Sequence, residues 1–96
     1  GHNFDLYVTV KGEVSADTGF VMNLKDLSKI VKEHVIKRVD HKNLNLDVDF
    51  MSGKMASAEV LIAEIWKLLV PQLPEGVQMH SLKLYETHKS FVEYFG

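Results

Sequence analysis

The chain has 96 residues, 46% of them hydrophobic and 25% charged, with eleven Lys+Arg against thirteen Asp+Glu and a formal net charge of −2. That is one globular domain rather than a disordered segment, and a domain this small buries only about 60–65% of its unfolded surface, so its thin core makes association an expectation. With no cysteine there is no disulfide framework, cysteine zinc knuckle or cysteine nucleophile within these residues; no basic excess points to nucleic acid, and the longest apolar run, Val60-Leu61-Ile62-Ala63, is far short of the ~20 residues of a membrane span.

Phe4, Leu6, Val8 and Val10 alternate with Asp5, Tyr7 and Thr9, which predicts a half-buried strand over 4–10 that Lys11-Gly12-Glu13 ends. Asp17-Thr18-Gly19 signals a turn. Leu24, Leu27, Ile30, Val31 and Val35 recur at three- and four-residue steps and predict a helix over 24–38. Asn23 suits its N-cap, Asp26 its first turn, and Lys37 and Arg38 its last. Residues 39–55 hold Asp40, Asp47, Asp49, Asn43, Asn45 and Gly53 and read as a loop, longer than the usual connection.

A second helix is predicted from Ala58 to Val70, capped by Ser57. Its stripe is Leu61, Ile65 and Leu68, widened by Ile62, Trp66 and Leu69, and Pro71 and Pro74 end it. Strands over 77–86 and 91–95 follow, around a Thr87-to-Ser90 turn. The order strand, helix, helix, strand, strand makes an α+β domain with helices on one face of an antiparallel sheet. So small a sheet leaves exposed edges, a second reason to expect partners. Gly1 has no methionine before it and no signal-peptide pattern after it, so the sequence reads as processed or as a fragment, with the cytoplasm as the expected location.

Four short motifs occur in order. Gly1-His2-Asn3-Phe4 enters a strand, and Thr18-Gly19-Phe20-Val21-Met22-Asn23-Leu24 enters a helix. Asp40-His41-Lys42-Asn43-Leu44-Asn45 follows that helix, and Tyr85-Glu86-Thr87 ends a strand. Together they resemble the 6-pyruvoyl-tetrahydropterin synthase / 6-carboxy-tetrahydropterin synthase family across residues 1–96, as a single domain. The resemblance implies the tunnelling fold, an antiparallel sheet with two helices, edge-paired into an oligomeric barrel. The family pattern places a further strand, a loop, a cysteine and two zinc histidines ahead of the Gly-His-Asn motif. None of these lies within the 96 residues.

The same resemblance makes His2 one of three zinc-binding imidazoles, a set that leaves the metal an open position. Without it, His2 is an exposed terminal histidine. Asp40-His41 resembles the family's proton-relay pair. A carboxylate that accepts from one ring nitrogen sets the tautomer and basicity of the other. Glu86 matches the glutamate that anchors the pterin. A carboxylate can accept two parallel hydrogen bonds from the 2-amino group and a ring N–H, with Thr87 as support. Ser57-Ala58-Glu59-Val60 matches a substrate-binding segment. Ala58 stands where the family carries a hydroxyl, so a contact there would run through the backbone. Glu59 is open between a first-turn acid and a functional one.

His34, His80 and His88 have no motif behind them, and Asp47 and Asp49 lack the ligand count of a calcium loop. Val60-Leu61 resembles the carboxy branch and the Asp-His-Lys-Asn-Leu-Asn string the pyruvoyl branch, so the product stays open between queuosine and biopterin biosynthesis. The implied activity is a zinc-assisted triphosphate elimination with side-chain rearrangement on 7,8-dihydroneopterin triphosphate, in a homo-oligomer, trimer or hexamer, with neither nucleic acid nor membrane as partner. The alternatives are a truncated, non-catalytic pterin-binding or assembly module of the same fold, and a small scaffold with incidental motif similarity. One histidine of three cannot hold zinc tightly, so the 96 residues alone are not expected to turn over.

Overall fold

A computed structural model describes residues 4–39, 57–86 and 90–96. Strand β1 (Asp5–Gly12) is followed by helix α1 (Leu24–Val31), a π-helical segment (Lys32–Ile36) and a short α2 (Lys37–Val39). Helix α3 (Ala58–Leu69) runs into a 3-10 turn (Val70–Gln72), then β2 (Val77–Tyr85) and β3 (Phe91–Tyr94). The three strands form one antiparallel sheet in the order β1-β2-β3. No helix among the described residues is long and apolar enough to cross a membrane.

The alternation expected in β1 is present: Leu6, Val8 and Val10 are half-buried and their neighbours exposed. The strand outlasts that pattern by two residues, because Lys11 and Gly12 still pair with Gln78 and Val77. Gly12 is needed there. A Cβ would stand 2.6 Å from the carbonyl oxygen of Gly76.

In β2, Met79, Leu82 and Leu84 are all buried, which no strict period of two allows. The pairing explains it. Thr9 faces Ser81 while Val10 faces Met79, so His80 is an extra residue, a β-bulge, and the alternation restarts after it.

Both predicted caps form. The Asn23 side chain accepts from the Lys25 N–H at 2.8 Å, and Ser57 Oγ accepts from the Val60 N–H at 3.2 Å. Each satisfies a donor the helix itself leaves unpaired. Leu27 and Val35 are buried as the spacing predicts, whereas Leu24, at the first helical position, is 76% exposed and outside the core. α3 buries Leu61, Ile62, Ile65 and Leu69 and leaves Leu68 and Trp66 half-buried.

Val35, the four α3 residues, Met79, Leu82 and Leu84 form one cluster, and Leu6, Val8, Val10, Val92 and Tyr94 pack against it. The helices therefore cover one face of the sheet. Among the described residues no element covers the other face. It carries Tyr7, Tyr85 and Phe91 in a row, with ring centroids 5.7 and 5.2 Å apart. Lys83 Nζ lies 4.3 Å from the Phe91 centroid and 5.3 Å from that of Tyr85, close enough for cation–π attraction.

Candidate functional site

Several chain segments return to one end of the domain. Asp5 pairs with Tyr85, so the entry to β1 at Phe4 adjoins the exit of β2 at Glu86. α3 joins β2 through a short turn and runs back along it. Its C-terminal half sets Trp66 against Tyr94 at 5.3 Å, and Tyr94 in turn pairs with Leu82, well short of Glu86. The α3 N-terminus, with Ser57 and Ala58, therefore lies toward the Glu86 end.

The first helical stretch runs antiparallel to α3. Its start shares a cavity of about 530 Å³ with Gln72 and Pro74, which follow α3. Farther along, Val35 in the π-helical segment packs into the cluster that α3 forms. The stretch thus ends, at Val39, toward the same end as Ser57 and Glu86.

Of the residues singled out in the sequence, Glu86, Ser57 and Ala58 are described. Glu86 is exposed, one position past Tyr85, and its backbone N–H donates to the Ser90 carbonyl at 2.9 Å, closing the β2–β3 hairpin. Strand alternation puts it in phase with Leu82 and Leu84, the residues that face α3. Ser57 is half-buried and its oxygen is engaged as the cap, leaving its hydroxyl proton free to donate. Ala58 is half-buried in the first turn of α3 and packs against the core, where a small side chain fits.

His2, Asp40, His41 and Thr87 lie outside the described residues. In sequence, His2 is two positions ahead of Phe4, Asp40-His41 follows Val39, and Thr87 follows Glu86. All four therefore adjoin chain ends that the fold gathers together.

Among the described residues no group of three His, Cys, Asp or Glu side chains could hold a metal. His34 is half-buried in the π-helical segment. His80, on the bulge, is exposed and meets the Phe95 ring edge-on at 6.1 Å. Two features went unread in the sequence. The aromatic row was visible only as Tyr7, Tyr85 and Phe91 at polar-face strand positions. The π-helical segment left no mark, because Val31 and Val35 keep ordinary helical spacing.

A family model described as 6-pyruvoyl tetrahydropterin synthase matches residues 1–96. The chain is 43% identical over 96 residues to the 6-pyruvoyl tetrahydrobiopterin synthase of Pongo abelii and 42% identical to that of Homo sapiens. Each match covers 100% of this chain and 66% of the relative, so the chain spans just under two thirds of their length. Among solved structures, the Caenorhabditis elegans 6-pyruvoyl tetrahydropterin synthase matches with a TM-score of 0.78 and 27% identity, over 99% of this chain and 67% of that one. Matched along its whole length and sharing that fold, the chain belongs to the 6-pyruvoyl tetrahydropterin synthase family.

Proposed function

We propose that the whole protein is a lyase of the pterin pathway that acts on 7,8-dihydroneopterin triphosphate, eliminating triphosphate and rearranging the side chain to give 6-pyruvoyl- or 6-carboxy-tetrahydropterin. The observation that carries this reading is the gathering of Phe4, Val39, Ser57-Ala58 and Glu86 at one end of the domain. The candidate residues His2, Asp40, His41, Ser57, Ala58, Glu86 and Thr87 all lie at or within two positions of these in sequence, which a chance set of short matches would not produce.

Each residue has a role in this reading. Glu86 accepts the paired N–H donors of the pterin, and Thr87 supports it through its hydroxyl or backbone. Ser57 and Ala58 present the first turn of α3 to the ring, with Ser57 donating its hydroxyl proton and Ala58 contributing backbone. Asp40 accepts from one nitrogen of His41, which leaves the other free to take a proton from the substrate side chain. His2 supplies one imidazole to a zinc ion. By the family resemblance the other two imidazoles would come from ahead of the Gly1-His2-Asn3 motif. Bound zinc polarises a side-chain oxygen and lowers the cost of removing the neighbouring proton.

The two sheet edges support a homo-oligomer. β1 and β3 are the outer strands, and each has a row of backbone groups facing away from β2. Pairing these edges between copies would build a barrel from trimers or hexamers.

The test is an assay of the full-length protein for triphosphate release from 7,8-dihydroneopterin triphosphate, with metal analysis of the same sample. Turnover with stoichiometric zinc, and loss of both in His2→Ala, is the expected result. A well-folded, zinc-loaded protein that binds pterin and releases no triphosphate would overturn the reading in favour of a binding module.

A further inference from the structure

Four lysines lie along the exposed side of the first helical stretch. Lys25, Lys29, Lys32 and Lys37 line one shallow groove of about 350 Å³, with Ser28 and Glu33. The first three follow from simple helix geometry, since positions i, i+4 and i+7 share a face.

Lys37 does not. In a continued α-helix, Ile36 would stack over Lys32 and Lys37 would turn aside. The π-helical segment changes that register. The Lys37 N–H donates to the Lys32 carbonyl, five residues back, so Lys37 sits one wide turn above Lys32 and joins the row. Single π turns inside helices occur frequently at functional sites.

Among the described residues the row is not neutralised, and Glu33 is the one carboxylate among those lining the groove. Among the described residues none of the four lysines is ion-paired, while Lys67 pairs with Glu64 at 3.3 Å. Like charges at this spacing oppose the helix that carries them, so the chain holds this charge against its local preference. The apolar side of the stretch, Leu27 and Val35, is already buried. The apolar residues the stretch leaves exposed, Leu24 and Ile36, stand at its two ends and make no continuous apolar face to enter a lipid surface. A soluble polyanion is the partner that fits.

We infer that this lysine row captures the triphosphate chain of the substrate and guides it along the helix. The inference rests on the substrate reading given above. The row begins at the far end and leads toward Val39, the last described residue before Asp40. The whole chain is net negative, so a multiply charged substrate meets repulsion elsewhere and attraction here. Ammonium groups bind phosphate as point charges, and a graded row of them raises the encounter rate without fixing one geometry.

The experiment uses the full-length protein with Lys29, Lys32 and Lys37 all changed to Gln, and a second variant with all three changed to Arg. At low salt the Gln variant should lose about tenfold in kcat/KM for the triphosphate substrate. The loss should fall on KM with kcat kept, as for a contact made equally in ground and transition states. It should close near about 0.5 M salt, where screening removes it. Its Kd for inorganic triphosphate should rise in parallel, and the Arg variant should match the parent in both measurements. A Gln variant equal to the parent at low salt, or an Arg variant that loses as much, overturns the inference. A parent that releases no triphosphate refutes the substrate reading instead, and is told apart by the inorganic triphosphate titration.

Discussion

Glu86 and Asp40 carry opposite halves of the proposed chemistry, and single substitutions separate them. Glu86→Gln keeps the size and one acceptor. It loses the charge and turns one polar end into a donor facing a donor on the pterin. A charge-assisted hydrogen bond contributes about 1.5–3 kcal/mol, so pterin affinity should fall at least about tenfold, with fold and zinc unchanged. Asp40→Asn should leave pterin affinity intact and slow turnover, because it affects the proton relay and not the anchor. A binding titration with a non-reacting pterin on both variants reads the difference. Glu86→Gln binding as tightly as the parent would make Glu86 a surface acid.

At this scale the caps were legible, since Asn and Ser each stand one residue before an apolar periodicity begins and each hydrogen-bonds as its type dictates. Leu24 was misleading. Its spacing fits the stripe, but a position on the stripe is buried only where another element covers it, and Leu24 is 76% exposed.

Among the elements, α3 joins stability to the site through Ser57. Ser57→Ala removes the oxygen that accepts from Val60. The expected cost is about 0.5–2 kcal/mol of stability, seen as a lower Tm. Ser57→Asp should restore the cap and the Tm. If the hydroxyl also donates to the pterin, Ser57→Asp should recover stability and not affinity. Equal pterin affinity in all three proteins would reduce Ser57 to a cap.

The strands and helices themselves were readable because each buries one face, and burial on one face imposes a period of two or of about 3.6. The π-helical segment was not readable. Its wide turn is a backbone event, and Val31 and Val35 keep the spacing of a regular helix. The bulge in β2 was hidden for a related reason. Met79-His80-Ser81-Leu82 breaks the alternation, and only the partner strand, by pairing Met79 with Val10 and Ser81 with Thr9, shows which residue is the extra one.

For the molecule as a whole, the gathering of the chain positions that flank the candidate residues was the part no local pattern could show. Positions as distant as Phe4, Val39, Ser57 and Glu86 come together only through antiparallel returns, and those belong to the topology. Among the described residues the sheet has two unpaired edge strands over a core of a few buried side chains, an arrangement that edge pairing between copies would relieve. Sedimentation of the full-length protein at micromolar concentration should therefore show a trimer or a multiple of it. A stable, soluble monomer under those conditions would refute the proposed barrel.

The bulge at His80 also acts as a parity switch. Downstream of it, every side chain of β2 points where it does because one residue does not count in the alternation. If His80 were counted in a regular alternation, with Met79 still held by Val10, Leu82 and Leu84 would turn to solvent and Lys83 and Tyr85 would turn into the core. Glu86 would leave the helix side with them. The choice of which face of the sheet carries the proposed pterin anchor thus rests on a bulge six residues upstream of it: deleting His80 would leave that face unchanged, whereas deleting a paired residue between the bulge and Glu86 would invert it.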